Sequence, residues 1–459
     1  MHHLATELSN LKTAGYHNME MSKIITLLVK VILFIILIFT KKDVFAQQIS
    51  LKDCVRKAIE NHPDVKASYL NTGIAKAGID QAKSNFMPEL SASIFQSGNF
   101  GRSIDRFTNA YIDQFYNSTW AGARLNVPIF TSFRNTHLLS SAKTTFSASE
   151  SAQENARNMI TQSVLAAYIN GLAQQENIKN AEKQLSNDSI QYQRLMTRKD
   201  AGLITKTEEI QLLNQMKADE LILLDAQLNY EIAIAELSSL LNTELPLTTI
   251  LYPLEPEVNV QIPNKPLLSE QLPQFADAKW RLQSTRDNIK ATKALSYPNI
   301  SLIADYGTFY ASSNPERSFV QQLNDTRNGA ISVGINIPIL RGMQNRPQVQ
   351  ELKVREMMIQ NDLERTRLQL NQELKLANTR YQNLKQRYKT ATSLYMLSEE
   401  NMNLIQDQVN AGTATMVDFL LAQTNMERAL TSRTNAKYQL IHQEKLLQFY
   451  TTGKFELGE

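Results

Sequence analysis

The sequence predicts a mixed α and β membrane protein built by tandem duplication, with four strands per chain for a shared β-barrel and long helices for a coiled coil. Three observations carry this reading. Landmark residues recur at one fixed offset, two long tracts lack proline and follow a heptad, and four segments alternate apolar residues with small or polar ones. The composition agrees, with 459 residues, 42% hydrophobic and 20% charged, one cysteine and 15 glycines. It can bury a core, and it excludes a disulfide scaffold and a disordered chain. A formal charge of +3 is no footprint for a polyanion, so nucleic acid is not expected as a partner. Mean hydropathy is -0.32, too low for a bundle of membrane helices of about 20 apolar residues each.

Lys23, the apolar run 31–39 and Val44-Phe45-Ala46 before Gln47 have the three parts of a secretory signal peptide, which assigns 1–46 to a leader. Met19 and Met21 are alternative starts. A membrane anchor is the other reading, disfavoured by the short apolar core and Lys30 beside it. Residues 1–46 carry five lysines and three acidic residues, which leaves 43 basic against 42 acidic. Cys54 has no partner for an internal disulfide and does not follow the cleavage site, so it reads as a small buried helix residue. His62, His137 and His442 lack metal-ligand spacing, and no phosphate loop or nucleophile elbow appears. No cofactor, metal or catalytic residue is expected.

The duplication organises the rest. Pro63 recurs as Pro273, Pro88 as Pro298, Val127-Pro128-Ile129 as Ile337-Pro338-Ile339, and Ala201-Gly202 as Ala411-Gly412, all 210 residues apart. The first repeat is 47–245 and the second 273–459. The connector, 246–272, is rich in proline: with Pro273 it holds six of the 13 prolines, whose missing donors and fixed φ forbid a continuous helix.

Each repeat opens with a helix of about 20 residues, 63–84 and 273–295. A pair of strands follows, then a very long helix, a Gly turn and a further long helix. A helix over 132–199 would extend ~100 Å and needs a partner along its length. The heptad supplies the seam: Leu374, Tyr381, Tyr388, Tyr395, Met402 and Val409 fall seven apart, interleaved with Ala377, Leu384, Ala391, Ser398 and Ile405. After the first turn, Met216, Leu223, Tyr230 and Leu237 run beside Asp219, Ala226, Ala233 and Leu240.

Between the prolines the period changes to two. In 118–129, Ala121, Ala123, Leu125, Val127 and Ile129 alternate with Gly122, Arg124 and Asn126. In 330–339, Ile331, Val333, Ile335, Ile337 and Ile339 alternate with Ser332, Gly334 and Asn336. Their upstream partners are 89–96 and 299–310, and Pro88, Pro128, Pro298 and Pro338 mark the strand-to-helix boundaries. One apolar face and one small or polar face suit a transmembrane barrel, although a soluble sheet packed on helices has the same pattern. Connections over 97–117 and 311–328 are rich in Asn, Ser, Asp and Arg and resemble external loops. Four strands cannot close alone, and open edges are not tolerated in hydrocarbon, so the chain must oligomerise. Two copies give eight strands and a filled interior, while three give twelve and room for a lumen.

The mature chain resembles the TolC-like outer-membrane efflux protein family along essentially its whole length. The resemblance rests on the opening 51–63 (LKDCVRKAIENHP), the strand starts at Pro88 and Pro298, the exits Val127-Pro128-Ile129-Phe130 and Ile337-Pro338-Ile339-Leu340, and the two Ala-Gly turns. It implies a homotrimer with a 12-stranded barrel in outer-membrane lipid, continuous with an α-helical barrel in the periplasm. It also implies a periplasmic adaptor and an inner-membrane pump of the RND or ABC class as partners. Substrates would pass through it unchanged, in efflux or type I secretion.

In that family the turns corresponding to Ala201-Gly202 and Ala411-Gly412 form the periplasmic tip. Glu208 and Asp418 each follow the turn glycine by six residues, which implies an acidic ring of six carboxylates at the entrance. The same residues stand three after Thr205 and Thr415, the spacing of a helix cap, and the two roles are compatible. Some members carry arginine at the position of Ala414 and an acidic residue at that of Leu421, so the polar latch differs here. A periplasmic coiled-coil scaffold or adaptor without a pore would explain the heptads but not the alternating segments.

Overall fold

The computed structural model describes residues 48–105, 109–200, 205–256, 270, 272–339 and 344–455. The expected leader, the first Ala-Gly turn (Ala201 and Gly202), most of the connector and Leu340 lie outside the described residues. Gln48–Ile49 and Thr248–Ile250 belong to a small separate unit, and every element below belongs to the large one.

Helix α1 (Leu51–Asn61) starts where Ser50 accepts the Asp53 N–H at 3.1 Å, and it buries Leu51, Cys54, Val55 and Ala58. Cys54 is a free, buried thiol, and burial pushes its pKa up to about 12. Helix α2 (Pro63–Ser84) has proline in its first turn, where no N–H partner is lost, and His62 Nδ1 accepts the Asp64 N–H. Its counterpart in the second repeat, α5 (Pro273–Ala294), also begins at proline.

Four strands follow these helices in pairs: β1 (Glu89–Asn99) with β2 (Tyr116–Phe130), and β3 (Asn299–Ala311) with β4 (Asn328–Asn336). They form one antiparallel sheet in the order β1-β2-β3-β4, so the repeats meet where β2 pairs with β3. The register lines up Leu90, Leu125, Ala304 and Ile331 in one row, with Val127, Leu302 and Val333 in the next. This face is apolar and exposed, Leu90 at 73% and Ile331 at 80%. The opposite face carries Ser91, Arg124, Asp305 and Ala330 in one row and Ser93, Gly122, Gly307 and Asn328 in another. There the Arg124 Nε reaches Asp305 Oδ1 at 2.6 Å.

The same polar face accommodates one aromatic row, Phe95, Trp120 and Phe309. The indole of Trp120 lies over Gly122, where a Cβ would stand 2.7 Å from the ring, so only glycine fits. The Phe95 and Trp120 ring centroids are 5.7 Å apart.

Two expectations need correction. The last strand ends at Asn336 rather than 339, because β3 begins at Asn299 after Pro298 and leaves no residue opposite Ile337. The connections are also not plain loops. The strands β1 and β2 extend to Asn99 and from Tyr116, and a short hairpin, Arg102–Ile104 with Tyr111–Asp113, stands between them. Between β3 and β4 lies α6 (Phe319–Asp325), started by a capping box of Ser318 and Gln321. Thr326 Oγ1 accepts the Phe309 N–H at 2.8 Å, and Gln322 accepts that of Ala311 at 3.0 Å, so this segment covers backbone of β3 that β4 does not reach.

The exit from β2 turns on Ser132 and Phe133 at φ of 50° and 63°, left-handed values that cost any residue with a side chain. The Ser132 hydroxyl donates to the Pro298 carbonyl, and Phe133 meets Phe130 edge-on at 5.5 Å. Then come α3 (Arg134–Asp200) and α4 (Lys206–Leu241), and in the second repeat α7 (Asn345–Asn410) and α8 (Met416–Thr452). At 1.5 Å per residue α3 and α7 each run ~100 Å. None of the described helices is long and apolar enough to cross a membrane.

Each expected seam position on α7, from Leu374 to Val409, is buried or half-buried, and the same holds from Met216 to Leu240 on α4. Ala377 and Tyr381 pack with Leu440 and Leu447 of α8, flanked by Leu374, Leu384 and Tyr388. Large residues on one helix thus fill space beside alanines, as the interleaved pattern requires. Midway along α3, Tyr168 donates to the Tyr252 carbonyl at 2.8 Å, and the Leu251 N–H donates to Gln175 at 2.8 Å. A Cβ on Gly171 would meet Leu251 at 2.6 Å, so the glycine admits this segment against the helix.

Replacing Tyr381 by alanine opens a cavity in this seam. The expected cost is about 3 kcal/mol, read as an earlier loss of helical circular dichroism in denaturant.

Candidate functional site

Two places combine the residues singled out by the sequence: the ends of the long helices and the two-faced sheet. At the helix ends, α4 begins with Thr205, whose N–H and hydroxyl donate to Glu208 Oε2 at 2.7 and 3.0 Å, while Thr205 Oγ1 accepts the Glu208 N–H. In the second repeat Thr415 makes the same bonds to Asp418 Oδ2, at 2.9 and 2.6 Å. Both are complete capping boxes, so aspartate closes this box as fully as glutamate. The bonds from Thr415 hold the Asp418 carboxyl below the usual carboxylate range, and the negative charge favours the helix N-terminus.

The second turn is fully visible. Ala411 ends α7 in helical geometry, and Gly412 takes φ of 76°, the left-handed position that suits glycine. The Thr413 N–H then reaches back to the Gln408 carbonyl at 2.9 Å. At the first turn, Glu209 accepts Lys199 Nζ at 2.8 Å and Lys206 Nζ at 2.9 Å, a clamp from the end of α3 to the start of α4. Those two ammonium groups pull its carboxyl pKa down.

The two ends come together. Glu208 lines one cleft with Gly412, Ala414 and Thr415, in a volume of about 270 Å³. Arg194 and Arg198 line it too, so Glu208 shares the place with guanidinium groups that the sequence reading did not single out. Arg198 belongs to the basic last turn of α3, but nothing in the sequence ties that turn to Glu208. Gln191 of α3 also donates to Gln406 of α7 at 2.6 Å, one direct bond between the repeats near this end.

The boundary prolines are at the other end of the helices. Pro88 and Pro298 directly precede β1 and β3. Pro128 lies inside β2, followed by a register shift before Phe130, and Pro338 lies two residues past β4. Among the described residues no group of His, Cys, Asp or Glu has the geometry to hold a metal ion.

The profile of the family described as outer membrane efflux protein matches residues 54–243 and 266–453, one segment for each repeat. The chain belongs to the outer membrane efflux protein family. Membership places it at the outer membrane as a component of efflux, in a family of channels rather than enzymes. Solved structures agree on the fold. VceC from Vibrio cholerae is 18% identical, with a TM-score of 0.75, 88% of this chain covered and 97% of that one. The CmeC outer membrane channel of Campylobacter jejuni is 18% identical with a TM-score of 0.75, covering 89% and 87%. The MtrE outer membrane channel of Neisseria gonorrhoeae, in its open state, is 20% identical with a TM-score of 0.66, covering 87% and 88%. No curated protein sequence matches significantly.

Removing either cap hydroxyl, by Thr205→Ala or Thr415→Ala, should cost about 1 kcal/mol locally. Faster amide exchange in the first turn of the affected helix alone, with the rest of the protein unchanged, is the expected readout.

Proposed function

We propose that three copies of the chain form a passive conduit from the periplasm to the exterior. One observation carries the reading: a four-stranded antiparallel sheet, apolar on one exposed face and polar on the other, leaves β1 and β4 with unpaired edges. In hydrocarbon each edge needs another copy, and twelve strands from three copies leave a lumen that eight would fill. The apolar rows then face lipid, and Arg124 and Asp305 line the pore. The helices continue the conduit on the periplasmic side.

The periplasmic ends are the gate in this reading. The conduit opens when the coiled-coil ends separate under the grip of a periplasmic adaptor joined to an inner-membrane pump. Glu208 and Asp418 cap their helices and also face the mouth as an acidic ring of six carboxylates, with Arg194 and Arg198 in the cleft of Glu208 reducing its net charge.

The test is conductance of the purified full-length protein in planar bilayers, with its subunit number measured in detergent. A conducting trimer is expected, and a monomer that needs no detergent overturns the proposal. Replacing Glu208 by Gln together with Asp418 by Asn should lower cation selectivity without reducing insertion. Unchanged selectivity rejects the ring while leaving the conduit intact.

A further inference from the structure

Between the gate and the middle of the bundle, three helices press carboxyl groups together, those of Asp188 and Asp219 buried and that of Glu427 half-buried. Asp188 of α3 is 1% exposed and Asp219 of α4 is 2% exposed. From α8 come Gln423, 1% exposed, and Glu427 one turn further on. Asp188 Oδ1 accepts the Gln423 amide at 2.7 Å and the Gln184 amide at 3.0 Å. Both Asp219 oxygens accept the Gln215 amide, at 3.1 and 3.2 Å, and the Asp188 and Asp219 carboxyls are within hydrogen-bonding reach of each other.

The cluster is short of donors. Asp188 Oδ2, Gln423 Oε1 and Glu427 Oε1 are buried acceptors without a partner. An unpaired buried acceptor is costly, and an unpaired buried charge costs more. The charged groups facing the cluster are Asp188 from α3, Asp219 and Asp225 from α4, and Glu427 from α8, all acidic. Neither the cluster nor the cavity of about 270 Å³ beside it is lined by a lysine or arginine, and no metal geometry is present among the described residues. Protons on Asp188 and Glu427 can supply the missing donors from within the cluster.

We propose that Asp188, Asp219, Gln423 and Glu427 form a proton-held latch that ties α8 of the second repeat to the α3–α4 pair of the first. Protonated, the acids bond one another across the helix interface. Ionised, they repel in a place without a counterion and push the helices apart. The titration falls near neutrality: burial, then Asp219, pushes Asp188 up to about 8, and burial with Asp219 pushes Glu427 up to about 7. Acids whose pKa is higher folded than unfolded bind more protons folded, so the tie weakens as pH rises from the ordinary carboxylate range through these values. The inference rests on the reading that the gate opens by separation of these helices. An acidic periplasm locks the gate, and an alkaline one eases its opening.

The experiment compares the full-length protein at about pH 6 and about pH 9 by bilayer conductance and thermal unfolding. For the unaltered protein, the fraction of time spent conducting should rise roughly three- to tenfold at the higher pH and the unfolding midpoint should fall by about 4 °C. Asp188→Asn with Glu427→Gln supplies permanent donors and should flatten both responses. Asp219→Asn alone should flatten them in part, and serves if the pair fails to assemble. Equal pH responses in variant and unaltered protein, or no response in either, overturn the latch. Absence of conductance at both values overturns the conduit alone, because the unfolding midpoint reads the latch by itself.

Discussion

A backbone edge without a partner is intolerable in hydrocarbon, and the sheet of this protein has two of them. Each unsatisfied N–H or C=O there costs several kcal/mol, more than any surface contact could return. The rest of the architecture follows from that constraint. The repeats each supply a strand pair too narrow to enclose anything, and their union through β2 and β3 still leaves β1 and β4 open. The residues that would face lipid are already exposed and apolar in the single chain, which is the state of a part awaiting its neighbours.

Away from the strands the problem changes from satisfying backbone to packing side chains along ~100 Å of helix. The solution is repetitive: tyrosines and leucines against alanines, seven residues apart, with a glycine admitted only where another segment must approach, as at Gly171. Polar residues inside this regular packing are then conspicuous. Asp219 occupies a heptad position on α4 and is buried there, and it is the member of the acid cluster whose place the pattern already marked.

The heptads, the alternating strands and the duplication were legible because each is a periodic signal carried by many residues. The ends of elements were less so. Pro128 remains within β2 by means of a register shift, whereas Pro338 falls beyond β4, although the two are equivalent in the repeat. The difference lies in the partner strand, which a single segment does not encode. The capping box of Ser318 and Gln321 that starts α6 was not legible, because inside a polar connection it has the look of ordinary loop composition. At the tip, Thr205 and Thr415 were readable as caps from spacing alone. Arg194 and Arg198 were not readable as companions of Glu208, because α3 and the second turn are neighbours only in three dimensions. Asp188 and Glu427 were hidden for the same reason, with 238 residues of sequence between them.

The pairing of β2 with β3 has a further consequence for biogenesis. These strands are joined through all of α3, α4 and α5, so during synthesis β2 is complete long before its partner is made. During that interval its edge and the apolar row of Leu125 and Val127 are without cover, in a compartment full of other nascent chains. Until the second half arrives that edge has only wrong partners to meet, so a pause between the halves is when mispairing has its best opportunity.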